Sequence, residues 1–227
     1  MCIRDRGDFM MGASDDEEQW VYDGPQHLVV LTESYWLADT ACTQAFYQAV
    51  TGENRSKFQG AERPVERVSR VDAQEFLEQL NEKVSDLELE LPTEAQWEYA
   101  CRAGTTTPFF FGENITTDQV NFDGTKPYNG GVIGEYRAET IEVKSLPCNG
   151  WGLYQMHGNI REWCRDWFGE YSAKPEIDPL GPATSRHRMC RGGCWSNNGK
   201  LCRSASRRWP ETEYRHFRIG FRLACKR

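Results

Sequence analysis

No stretch of the 227 residues approaches the roughly 20 consecutive apolar positions that a membrane-crossing helix needs. Positive charge is not in excess either. Twenty-seven Lys and Arg stand against 34 Asp and Glu, a net charge of −7, the wrong sign for counterion-driven binding to nucleic acid. The nine cysteines include no Cys-x-x-Cys pair, and the tightest spacing, Cys190-x-x-x-Cys194, is not that of a zinc knuckle. There is no glycine-rich dinucleotide fingerprint, no phosphate-binding loop and no His-Glu-x-x-His helix. No repeat or low-complexity linker divides the chain, so one domain is expected. Met1–Arg6 is short and charged, unlike a signal peptide. These absences favour a cytoplasmic protein with reduced thiols; a secreted domain is the alternative if the N-terminus is truncated.

What is present is bulk and turns. Eight Trp, 20 Gly and 10 Pro, with 12% aromatics and charges of both signs, exclude disorder and suit a loop-rich core of large flat side chains. Three helices are predicted. Thr43 to Val50 carries Phe46, Tyr47 and Val50 and stops at Gly52. Asp72 to Val84 places Ala73, Phe76, Leu77 and Leu80 on one face, with Ser69-x-x-Asp72 as its cap. The third starts at Thr93, whose capping box closes at Gln96, and ends near Gly104 with Trp97 and Ala100 on one face. Gly7-Asp8-Phe9, Leu28–Thr32 and Tyr35–Leu37 read as strands in the first half. Beyond residue 105, Phe109–Phe111, Met189-Cys190, Cys194-Trp195 and Ile219–Leu223 are short strand candidates among long loops.

Seven strings follow one another along the chain: Phe9-Met10-Met11-Gly12; Pro64-Val65-Glu66-x-Val68-Ser69; Leu91-Pro92-Thr93-Glu94-Ala95-Gln96-Trp97-Glu98-Tyr99-Ala100; Gly152-Leu153-Tyr154-x-Met156-x-Gly158-Asn159-Ile160-x-Glu162-Trp163-Cys164-x-Asp166-Trp167; Arg191-Gly192-Gly193-x-Trp195; Cys202-Arg203-Ser204-Ala205-x-Arg207; and Gly220-Phe221-Arg222. In this order, from about residue 8 to 224, they resemble the formylglycine-generating enzyme (sulfatase-modifying factor) family. The resemblance implies an α+β, C-type-lectin-like fold with low regular secondary structure and long loops. It places a single domain at residues 7–227, with residues 1–6 outside the family pattern.

The resemblance also implies chemistry. The family's aerobic enzymes oxidise a substrate cysteine to formylglycine with two cysteines that hold copper(I), a soft ion matched to thiolates. These stand at the third and eighth residues past the Ser of a Gly-Gly-Ser motif. Here Cys194 replaces that Ser, Asn197 takes the third position and Cys202 the eighth, but aligned from the Cys-Arg-Ser-Ala-x-Arg string Cys202 falls on a position the enzymes fill with a non-cysteine. At most one of the two catalytic cysteines is therefore present, which argues against the copper enzyme. Cys202 with Cys194 as a displaced pair, two buried small thiols, and a structural disulfide all remain open from sequence.

Two calcium sites are implied as well. One would use Gln155, the carbonyls of Gly158 and Ile160, and Glu162; the other Asn121, the carbonyl of Phe122, and Glu135. The competing reading of Glu162 is a buried carboxylate paired with Arg203 or Arg207. His157 reads as a structural hydrogen-bonder, and Arg191, Arg203, Arg207 and Arg222 as loop braces. Arg70 and Arg161 stand where the family favours Trp, which reads as a remodelled surface, as an interface, or equally as drift in a chain whose enzyme role is gone.

The C-terminal loops resemble the variable region of bacterial or phage ligand-binding proteins diversified by retroelements. Asn197, Asn198, Trp209, Glu211, Tyr214, His216 and Phe217 would form that surface, since rigid aromatics bind at low entropic cost. The expected partner is a protein, peptide or glycan; nucleic acid and a membrane span are not expected. The leading reading is a ligand-binding module that has lost copper-dependent oxidation. Its alternatives are an oxygen-dependent oxidase of a peptidyl cysteine or small molecule, and a diversified receptor-binding protein.

Overall fold

The computed structural model describes residues 2–17, 22–84 and 86–226. Local rules set the helices. α1 (Gln44–Thr51) is capped by the Thr43 side chain, which accepts from the Phe46 N–H, and ends at Gly52, whose φ of 80° suits only glycine without strain. α2 (Arg70–Lys83) starts at the Ser69–Asp72 capping box. α3 (Glu94–Arg102) starts at the Thr93–Gln96 box. All three lie within two residues of their expected starts. α3 departs from expectation in being buried on nearly every side, Glu94, Glu98 and Arg102 included.

Three small sheets surround these helices. In the first, β4 (Tyr35–Leu37) lies between β1 (Cys2–Arg4) and β11 (Ala224–Lys226), antiparallel to both, and β11 continues to β5 (Leu89–Glu90). In the second, β6 (Arg161–Trp167) pairs in parallel with β10 (Ile219–Phe221) and antiparallel with β8 (Arg188–Arg191), which pairs with β9 (Arg207–Arg208). The third joins β2 (Gly7–Met11), β3 (His27–Leu31) and β7 (Glu176–Ile177). Phe109–Phe111 is not a strand but a tight turn closed between Phe109 and Gly112. Cys194-Trp195 is also a turn. A run of apolar residues marks burial, and here it marks buried loop.

The apolar core has three parts. Tyr47 of α1 stacks on Phe76 of α2 at 5.3 Å, and Phe221 of β10 meets Phe76 edge-on at 5.3 Å; such ring pairs contribute about 0.5–1.5 kcal/mol beyond burial. A second cluster gathers Trp97, Ala100, Leu153, Met156 and Met189 around α3. A third, with Phe109, Ile115, Val120, Phe122 and Tyr128, lies under the second half and includes Cys202.

Residues 103–160 hold no helix or strand, and buried asparagines replace a hydrogen-bond ladder there. Asn149 donates to the Ala100 carbonyl (2.8 Å) and accepts from the Leu153 N–H (3.1 Å). Asn121 donates to Asn159 Oδ1 (3.0 Å), and that oxygen also accepts from the Ile141 N–H (2.9 Å). Paired backbone groups are what make a loop buriable.

Candidate functional site

The turn after β8 brings the two candidate cysteines together. Gly192 and Gly193 have φ of 96° and 71°. A Cβ on Gly193 would come within 2.6 Å of the Leu201 carbonyl oxygen and 2.7 Å of Cys202 Sγ. Glycine alone lets this turn lie over the thiol. Cys194 and Cys202 are then neighbours, both free and both without solvent exposure. Burial pushes the Cys202 thiol far up, and the negative charge of a nearby Cys194 thiolate would add to that.

Asn197 holds the position that the family resemblance assigns to the second thiolate. Its Oδ1 accepts from Arg161 Nη2 (2.8 Å), the Cys194 N–H (3.1 Å) and the Cys194 thiol (3.2 Å). Its carbonyl accepts from the Asp123 N–H at 2.8 Å. These residues do not fit a two-thiolate copper(I) centre: one ligand position holds a committed amide, and the thiol at the other is enclosed and held neutral. Asn198 caps the 3-10 turn at 199–202 through the Leu201 N–H (3.2 Å). Asn197 is buried in building the turn, while Asn198 caps it through Oδ1 and stays half-buried.

His157 completes the underside. It is 1% exposed, donates from Nδ1 to the Cys202 carbonyl (2.7 Å) and accepts at Nε2 from the Phe110 N–H (3.2 Å). Burial pushes its pKa down to about 3, against a smaller upward effect of the bond to Cys202.

The calcium donors divide differently. Glu162 accepts from Arg222 Nε (2.6 Å), Arg222 Nη2 (2.8 Å) and Trp97 Nε1 (2.7 Å). Its partner is thus Arg222, not Arg203 or Arg207. Gln155 is turned to donate to the Glu142 carbonyl (3.0 Å), and the Gly158 N–H to Gly192. A cation at Gln155, Gly158, Ile160 and Glu162 would face a guanidinium that already neutralises the one carboxylate, so these residues do not fit calcium. At the other set, Asn121 Oδ1 is buried without a partner, as a metal-facing oxygen would be. The Asn121 carbonyl, however, accepts from Asn159, and the Glu135 carboxylate is exposed beside Arg137 Nε at 3.4 Å. Phe122 itself packs in the third core cluster. Among the described residues no three His, Cys, Asp or Glu side chains converge on a metal-sized point.

The most distinctive surface lies on the C-terminal loop. Tyr214 stacks on His216 (5.5 Å, 9°), His216 on Phe217 (4.1 Å), Phe217 on Trp195 (5.9 Å) and Trp195 on Tyr136 (6.0 Å, 25°). Phe58 meets Trp195 edge-on at 5.5 Å. Lys57 Nζ sits 4.5 Å from the Phe217 ring centre, and the Arg218 guanidinium 5.4 Å from both Trp195 and Phe217. Burial lowers the His216 pKa, and Arg218, Arg161, Arg67 and Lys57 push it the same way.

Beside this row is a groove of about 430 Å³ whose walls include Trp209, Tyr214 and Ile219 on the apolar side and Arg161, His187 and Arg208 on the polar side. Glu211, at its rim, is bound by Arg186 at 2.6 Å. Of the residues singled out by sequence, Tyr214, His216 and Phe217 come together in the ring row, and Trp209 and Glu211 line the groove. Trp209 does so with one face only, since the other stacks on Phe168 at 4.5 Å. Lys57, Phe58, Tyr136 and Arg218 were not legible as part of this surface, nor was Trp195, which is buried and backs the ring row. They come from segments far apart in the chain. Arg161 had a signal in the sequence, its charge where the family favours Trp.

The family model for the sulfatase-modifying factor enzyme 1-like domain matches residues 1–227. The formylglycine-generating enzyme of Streptomyces coelicolor is 30% identical over 231 residues, covering 94% of this chain and 71% of that one. The serine/threonine-protein kinase pkn1 of Chlamydia caviae is 38% identical over 139 residues, 59% of this chain but 20% of the kinase, so the match spans about a fifth of that relative's length. Among solved structures, Treponema denticola variable protein 1 superposes with a TM-score of 0.86 at 27% identity, covering 100% of this chain and 95% of its own. PvdO from Pseudomonas aeruginosa superposes at 0.85 with 25% identity, covering 99% and 93%. Motif order, mixed helix-and-sheet architecture and these likenesses agree: the chain belongs to the sulfatase-modifying factor enzyme 1-like family, the family of the formylglycine-generating enzymes.

Proposed function

We propose that this chain is a ligand-binding module of its family, without copper-dependent cysteine oxidation. The observation that carries the reading is Asn197: it occupies a thiolate position and its side-chain oxygen is engaged by three donors. The ring row and groove supply the recognition surface, suited to a protein, peptide or glycan ligand. Aromatic rings held by stacking offer large contact area with little entropy left to lose.

Copper(I) titration of the reduced protein tests this, with Cys202→Ser and Cys194→Ser alongside. Weak binding indifferent to both substitutions is expected. Tight one-to-one binding abolished by either would overturn the reading and favour an oxidase built on a displaced thiol pair. Oxygen-dependent loss of a peptide thiol would then be the activity to measure.

The likeness to Treponema denticola variable protein 1 along the whole chain favours a second reading, a receptor-binding protein whose C-terminal loop is diversified. A reverse-transcriptase gene and a near-copy of the 3′ coding segment beside this gene would support it. A neighbourhood lacking both would remove it.

A further inference from the structure

Among the described residues, one groove holds buried ring and guanidinium nitrogens that have no hydrogen-bond partner. Arg161 Nε and His187 Nδ1 are both buried without a partner, and both residues line the groove. Arg218 Nε, in the adjoining ring row, is in the same condition. A buried polar group without a partner is costly, and a water or an ion is one thing that satisfies it. Arg70, Arg188 and Arg191 also have an unpartnered Nε, but here two such residues line one concavity beside a further arginine. The Arg161 guanidinium is also held in place: Nη2 donates to Asn197 Oδ1 at 2.8 Å. Arg208 lines the same groove, with its Nη1 donating to the Arg207 carbonyl at 2.7 Å; burial, with Arg161 adding, pushes its pKa down to about 10. Two guanidinium groups thus share one small concavity in a chain of net charge −7. The one acid on its wall, Glu211, is drawn aside by Arg186.

From this juxtaposition we infer that the groove seats an oxyanion, a carboxylate or phosphate group, carried on an apolar or aromatic stem. A guanidinium matches an oxyanion's acceptors, and Arg161 and Arg208 place two such cations in one groove. Trp209, Tyr214 and Ile219 then cover the stem, as in small-molecule sites where a few polar groups orient a largely apolar ligand. The inference rests on the ligand-binding reading and names the chemical class of the ligand at that surface.

Calorimetric titration with benzoate, phenylphosphate and inorganic phosphate at low salt tests it. One site is expected, with phenylphosphate or benzoate bound more tightly than inorganic phosphate because only they carry a stem. The preferred probe identifies the oxyanion as phosphate or carboxylate. Arg208→Gln and Arg161→Gln should each weaken binding by about tenfold or more, the loss of a charge-assisted pair. Glu211→Gln, an exposed change that leaves packing alone, should tighten it by about twofold. Absence of saturable binding by any probe overturns the assignment. So does binding that is equal in Arg208→Gln, Glu211→Gln and the parent. Loss of anion binding with copper still indifferent to the cysteines overturns only the groove. Thiolate-dependent copper binding with anion binding intact overturns only the module reading and leaves the oxyanion site in place.

Discussion

Both ring nitrogens of His157 are engaged, Nδ1 with the Cys202 carbonyl and Nε2 with the Phe110 N–H. Protonation would break the second bond and bury a charge, so burial lowers the pKa to about 3 from 6.5. Between those values the unfolded chain binds more protons than the folded one. His157 therefore costs stability as pH falls from about 6.5 toward about 3, at up to about 1.4 kcal/mol per unit, and is silent above about pH 7. Asp166 acts with the opposite sign. Burial, with Glu94 adding, raises its carboxyl to about 7 from 3.8, so it costs stability as pH rises through that window. The comparison of His157→Asn with the parent isolates the imidazole. The variant should be the less stable at pH 7, and the gap should narrow by about 2 kcal/mol at pH 5. Denaturant unfolding at both pH values checks this, and an unchanged gap would refute it.

At the scale of the element, the start of α2 does more than open a helix. Asp72 closes the capping box with Ser69 and also binds Arg215 through two 2.7 Å contacts. The Arg70 N–H donates to the Thr212 carbonyl (3.0 Å) and the Arg67 N–H to the His216 carbonyl (3.1 Å). The segment 67–72 thus holds the loop bearing Tyr214, His216 and Phe217 in place. Ser69→Ala should cost about 1 kcal/mol and speed amide exchange at Arg67 and Arg70, whose acceptors sit on that loop. Denaturation and exchange measured together check it. Lost stability with unchanged exchange at those two amides would show the cap and the loop to be independent. β6 is instructive for another reason. It is seven residues long yet was not expected, because its burial pattern has no clean alternation: Glu162, Trp163 and Cys164 are all buried in succession. A strand covered on both faces loses the period-two signal that identifies strands in sequence.

Over the whole molecule, buried arginines do the stapling that regular structure does elsewhere. Arg203 pairs with Glu17 and with Asp23 (2.6 Å), Arg207 with Glu94 (2.7 Å), Arg222 with Glu162 (2.6 Å), and Arg191 with Glu98. Each joins segments 60 or more residues apart. The same economy bears on calcium, which could pin loops that the arginines and asparagines already hold. With Glu162 neutralised and Glu135 turned outward, millimolar calcium should raise the melting temperature by less than about 2 °C, below the shift for a stabilisation of about 1 kcal/mol. Thermal unfolding with calcium and with chelator checks this. A large shift abolished by Asn121→Ala would instead establish a resident cation at the one uncommitted oxygen.

The sequence alone determined the three helices, because caps and glycine stops act within four residues, and it determined the family, because seven motifs in order survive any change of loop. Through the family resemblance it also assigned Asn197 to a thiolate position and marked the charge at Arg161. Tertiary structure alone decided the rest. It chose Arg222 as the partner of Glu162, made the Phe109 run a turn, and drew Lys57, Tyr136, Trp195 and Phe217 into one surface. It also left Arg161 Nε and His187 Nδ1 without partners in one groove. These outcomes depend on pairings across many tens of residues, where chain connectivity no longer restricts which side chain meets which. There, burial and hydrogen-bond satisfaction make the choice.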